Sequence, residues 1–215
     1  DRRAIDATTS TVDAATGTVD ATLIPADART CAAGAFAMDG VLDDGAVIIA
    51  GGDTSPRLAV AVSGDGLLYV ATDDAGEGSD HFILLSATAP GDRTLHAPFG
   101  KAGDVAAGTG DLTFAADEND NLFVGWFRLE AAGADTPLSD PPFAAATDAN
   151  GGVLETQIDL ATAFGAVPAE VYLSVAVYGT TDGAPLVAAA QTPAGNGDGD
   201  VDADEYVAVA TACTP

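Results

Sequence analysis

Basic residues are the scarcest feature of this chain. Of 215 residues only seven are Lys or Arg, against 33 Asp and Glu, for a formal net charge of −26. A surface of that sign repels the phosphates of nucleic acids and the head groups of anionic lipids, so neither is a fitting partner. Histidine occurs twice, at His81 and His96. His81 follows Ser79-Asp80, but no G-x-S-x-G elbow surrounds the serine and no triad spacing exists, so the reading is a protein that is not an enzyme. No apolar run approaches the roughly 20 residues that a membrane-spanning helix needs. The chain has two cysteines and no CxxC pair, which removes the usual metal or redox motif. It also lacks an initiator Met and a signal-peptide pattern, as expected of a processed protein at the cell surface or outside the cell.

What is present is a composition for strands. Hydrophobic residues make up 47%, enough for a sizeable core, and Gly, Thr, Val, Ala and Asp dominate over the helix formers Lys, Glu, Gln and Met. Residues 1–29 stand apart as an arm or linker without aromatics, in which Thr11-Val-Asp-Ala14 returns as Thr18-Val-Asp-Ala21. The second copy opens a strand-competent segment over 18–24, with Val19, Ala21 and Leu23 on one face and Pro25 ending it. From residue 30 to 215 short strands alternate with turns. They are expected over 46–50, 57–63, 67–72, 81–87, 111–116, 122–128, 153–160, 170–178 and 206–212. A turn of helix is expected over 161–165, and 133–146 reads as a loop. The pattern predicts an all-β, antiparallel β-sandwich of jelly-roll-like type, entered by the extended N-terminal arm. Cys31 and Cys213 bracket that region, and a disulfide between them is expected in an oxidising compartment. Closing so long a loop would contribute about 5 kcal/mol on the chain-entropy model.

Three segments carry a family likeness: Asp39-Gly-Val-Leu-Asp-Asp44, Gly66-Leu-Leu-Tyr-Val-Ala-Thr-Asp-Asp74, and Val153-Leu-Glu-Thr-Gln-Ile-Asp-Leu160 ahead of 171–178. Over residues 36–212 the chain resembles carbohydrate-binding module family 9 and DOMON-like sandwiches. The resemblance implies a jelly-roll-like fold, sometimes with bound calcium, and a possible carbohydrate ligand. Family 9 sugar sites clamp the ligand between aromatic rings, whereas this chain has a single Trp, and alternation through 122–127 places Trp126 in the core.

The charge itself has two readings, a solvated acidic surface or carboxylates gathered in loops around a hard cation. The best loop is Asn196-Gly-Asp-Gly-Asp-Val-Asp-Ala-Asp-Glu205. Against D-x-[DN]-x-[DN]-G-x5-E it supplies Asn196 at the third position, Asp198 at the fifth, Gly199 at the sixth and Glu205 at the twelfth. Asp200 falls at the seventh and Asp202 at the ninth, while Ala194 replaces the first Asp, and the following Tyr-Val-Ala-Val is strand rather than helix. A Ca²⁺ loop grafted between strands is therefore expected, with Asp73, Asp74 and Asp80, and also Asp117 and Asn119, as weaker candidates in two other acidic turns. Together these features predict a non-catalytic extracellular subunit that assembles with copies of itself, as a filament or surface layer, through donor-strand addition of the arm. The alternative is a secreted carbohydrate-binding module.

Overall fold

The computed structural model describes residues 31–32, 36–51, 56–73, 75, 78–118, 123–131, 135–138, 143–148, 152–190 and 197–212. Two sheets face one another. The first contains β1 (Cys31–Ala32), β2 (Val47–Ala50), β3 (Leu58–Ser63), β4 (Leu67–Asp73), β11 (Phe143–Asp148) and β12 (Val153–Asp159), with β3, β4, β12 and β11 laid side by side in that order. The outer edge of β3 is shared: β2 pairs antiparallel with its first half, and β1 pairs parallel with its end through Cys31↔Val62 and Ala32↔Ser63. The second sheet runs β10 (Thr136–Leu138), β9 (Phe123–Arg128), β8 (Leu112–Glu118), β5 (Ser79–Ser86) and β13 (Glu170–Gly179). The free edge of β13 is likewise shared, by β14 (Leu186–Ala190) and β15 (Val207–Ala210). A separate two-stranded ribbon, β6 (Arg93–His96) with β7 (Asp104–Ala107), completes the described strands.

Strand alternation explains the layers. Leu58, Val60, Val62, Leu68, Val70, Leu154 and Ile158 of the first sheet meet Ile83, Leu85, Ala115, Trp126, Leu173 and Val175 of the second in one core. Trp126 is 2% exposed and its Nε1 donates to Thr156 Oγ1 across the two sheets at 2.5 Å, so the ring is core, as its alternation requires. The other faces are covered too, which is why β3 reads Leu-Ala-Val-Ala-Val-Ser and is buried throughout. On the first sheet Ala59, Ala61, Tyr69 and Ala71 lie under Phe36 and the chain that follows it. On the second, Phe82, Leu84, Phe114 and Tyr178 lie under the ribbon residues Leu95 and Val105 together with Val201 and Tyr206.

Local chemistry closes the connections. Gly66 adopts φ 89° in the β3–β4 turn, and its N–H donates to Ser63 O. Asp159 caps helix α1 (Leu160–Phe164) by accepting from Thr162 N at 3.0 Å, and Gly165 ends it in the left-handed region. The expectation of a loop over 133–146 is corrected, because β10 and the start of β11 lie inside it. β10 is a three-residue edge strand containing Pro137, and β11 is alanine-rich; each is held by its neighbour's backbone rather than by its own propensity. Residues 1–29, with Val19, Ala21 and Leu23, lie outside the described residues. So do Cys213 and the side chain of Cys31. No helix among the described residues is long and apolar enough to cross a membrane.

A candidate cation loop and the polar nodes around it

β14 ends with Ala190 opposite Val175, and β15 begins with Val207 opposite Leu173. The intervening chain therefore leaves and rejoins one edge of β13 at almost the same place. Its described part, 197–206, lies along β7. Val201 N donates to Asp104 O at 2.9 Å and Ala106 N to Val201 O at 2.8 Å, forming a parallel bridge, and Tyr206 OH donates to Ala106 O at 2.9 Å. Gly103, at φ 93°, permits the approach, since a Cβ there would strike Gly199 O and Asp200 Oδ1. Val201 is fully buried and nails the loop to the apolar outer face of the second sheet.

The acidic side chains of this loop are individually engaged. Asp198 is exposed, and its Oδ1 accepts from Asp200 N at 3.0 Å. Asp200 Oδ1 accepts from Asp104 N at 2.8 Å, fastening the ribbon. Asp202 and Glu205 form a capping box around the short 3-10 turn Ala203–Glu205, with Asp202 N donating to Glu205 Oε2 at 2.8 Å. Glu205 is only 4% exposed. Its charge reaches two buried phenols: burial first, then Asp200 and Glu205, hold the Tyr178 hydroxyl above the usual tyrosine range. Burial likewise raises Tyr206, helped by Tyr178 and Glu205. Asn196 lies outside the described residues, and among those described no three His, Cys, Asp or Glu side chains converge into a metal cage. The chemistry on offer is thus hard oxygen donors spaced along a loop pinned at both ends.

The weaker candidates are dispersed. Asp73 accepts from Arg57 N at 2.7 Å and from Arg57 Nε at 2.6 Å. Asp80 faces Lys101. Asp117 is buried and pairs across strands with the buried His81, on the face turned toward the main core. Asp74 and Asn119 lie outside the described residues.

One node was not expected from the sequence. Glu155, fully buried on β12, accepts from Gly40 N at 2.5 Å and from Tyr69 OH at 2.9 Å, while Asp43 N donates to the same tyrosine oxygen at 3.1 Å. The segments 39–44, 66–74 and 153–160 therefore meet at this carboxylate. The detectable signal was Glu155 and Gln157 on the face opposite Leu154 and Ile158, where Gln157 Oε1 accepts from Phe36 N at 3.3 Å. Comparison with family models, curated proteins and solved structures gives no match for this chain.

Proposed function

We propose that the chain is a non-catalytic, calcium-stabilised β-sandwich subunit of an extracellular assembly, joined to copies of itself by strand addition of its N-terminal arm. The observation that supports this most is β1. Cys31–Ala32 adds in parallel to β3, so the described fold begins at a sheet edge, where backbone N–H and C=O groups can be shared with another chain. Calcium enters through the spacing of Asp198, Asp200, Asp202 and Glu205 on a loop that fastens the ribbon to the second sheet. A cation there would neutralise part of a net charge of −26 where acidic groups crowd a buried surface.

Deleting residues 1–25 tests the assembly. A truncated chain that folds but remains monomeric by light scattering, where the full chain is polymeric, supports the reading. Equal assembly of both chains ends it and gives way to the carbohydrate-binding alternative. For calcium, a chelator should lower the melting temperature, since a ligand at a hundredfold excess over Kd stabilises by about 2.7 kcal/mol. Asp198→Ala should blunt the response.

A further inference from the structure

Lys101 follows the Pro98–Gly100 turn, and its side chain reaches back to the start of β5. Its Nζ stands 2.6 Å from Asp80 Oδ2, and the two side chains keep 1% and 0% of their surface. The amine and the carboxyl are therefore pressed together with almost no contact with solvent. Nζ also lies 3.1 Å from Thr180 O and 3.2 Å from Thr181 O. Asp80 sits on the outward face of β5 beside Phe82 and directly opposite Tyr178 in the sheet register, within the apolar layer under the ribbon.

Burying two full charges costs several kcal/mol each, recovered only in part by their attraction. Intramolecular pairs aligned for reaction reach effective concentrations of about 10⁵–10⁸ M, and a buried pair in contact is confined toward such an arrangement. We infer that Lys101 and Asp80 condense into an intramolecular Nζ–Cγ amide, a covalent crosslink between the ribbon segment and β5. One proton passes from Nζ to the carboxylate, the nitrogen attacks Cγ, and the C–O bond breaks as that oxygen leaves with the transferred proton and a second proton from nitrogen as water. No oxidant, reductant or activated co-reactant is required.

The product fits the site. The amide N–H keeps a donor for one threonine carbonyl. Its carbonyl oxygen needs a buried donor, and the Tyr178 hydroxyl, fully buried and without a hydrogen-bond partner among the described residues, stands on the neighbouring strand. This crosslink depends on neither the calcium loop nor the arm.

Intact-mass measurement of the natively folded full chain, denatured and reduced, tests the inference. The expected mass is one water below that of the sequence, with fragmentation yielding a branched peptide that joins the segments around residues 80 and 101. Lys101→Arg, which preserves the ion pair but not the nucleophilic amine, should restore the full mass. Because the measurement is made on denatured protein, Asp80→Ala is informative even if it folds poorly, and it too should carry the full mass. Chain recovered unfolded should start at full mass and lose the water on refolding. A wild-type mass without the deficit, or a deficit that persists in Lys101→Arg, overturns the crosslink.

Discussion

Replacing Glu155 with Ala probes the node that holds the 36–45 segment against the first sheet. Two buried donors lose their acceptor, the Gly40 N–H at 2.5 Å and the Tyr69 O–H at 2.9 Å. An orphaned buried donor costs about 1–3 kcal/mol, so the gross penalty is about 2–6 kcal/mol. Against it stands the relief of desolvating a carboxylate that has no basic residue in the node, which trims the net toward about 2–4 kcal/mol. For a chain of this length each kcal/mol moves the melting temperature by about 2–4 °C, so a drop of roughly 4–16 °C is expected. Glu155→Gln should be milder, because its carbonyl still accepts from Gly40 N and the tyrosine hydroxyl can rotate to accept from the amide. Tyr69→Phe removes the acceptor for Asp43 N and one donor to Glu155, and the double variant should cost less than the two singles added. Urea unfolding gives the energies, and amide exchange at Gly40 and Asp43 reports whether the segment opens locally. An Ala variant within about 0.5 kcal/mol of wild type, or strict additivity with Tyr69→Phe, would refute the view that this carboxylate clamps the segment.

Two other outcomes follow from local geometry. Gly103→Ala places a Cβ against Gly199 O and Asp200 Oδ1 at a positive φ, and should cost about 1–3 kcal/mol. The exchange of Val201 and Asp104 amides should accelerate while the inner strands stay protected, and unchanged exchange there would contradict the docking. Asp159 is held below the ordinary carboxylate range chiefly by the Thr162 backbone N–H, then by the Thr162 side chain. With a lowered folded value, its contribution is present above the unfolded value and vanishes as pH falls through the folded one. Asp159→Ala should therefore be less stable than wild type near neutrality and converge with it in acid, and a constant gap down to the lowest pH would count against the cap.

The sandwich was legible because its inner strands carry their own signal: 57–63, 67–72 and 170–178 alternate or run apolar, and each became a strand. β10, β11 and β14 did not announce themselves, because a proline-containing triplet and two alanine-rich runs take their strand character from neighbours. The ribbon β6–β7 was missed because it belongs to neither sheet and its strands are only four residues each, with Leu95 the one apolar residue of β6. At the candidate loop the carboxylate spacing was readable, but their partners were not. Asp104 and Gly103 lie nearly a hundred residues away, and only the fold brings them to Asp200. Asp73 and Asp80 looked like ligands in an acidic turn, and Arg57 and Lys101 became their counter-charges from outside it.

The doubled edge of β13 also makes the molecule a natural host for foreign sequence. Ala190 and Val207 flank Ser174 on the same strand, so an insert between them starts and finishes about two strand residues apart, or about 7 Å. Both anchors are held by hydrogen bonds that ignore the length of chain between them. With 197–206 kept in place on β7, each doubling of the segment before Gly197 should add only about 0.6 kcal/mol of closure entropy. A tag, an epitope or a second small domain could be spliced there without shifting the register of a single described strand.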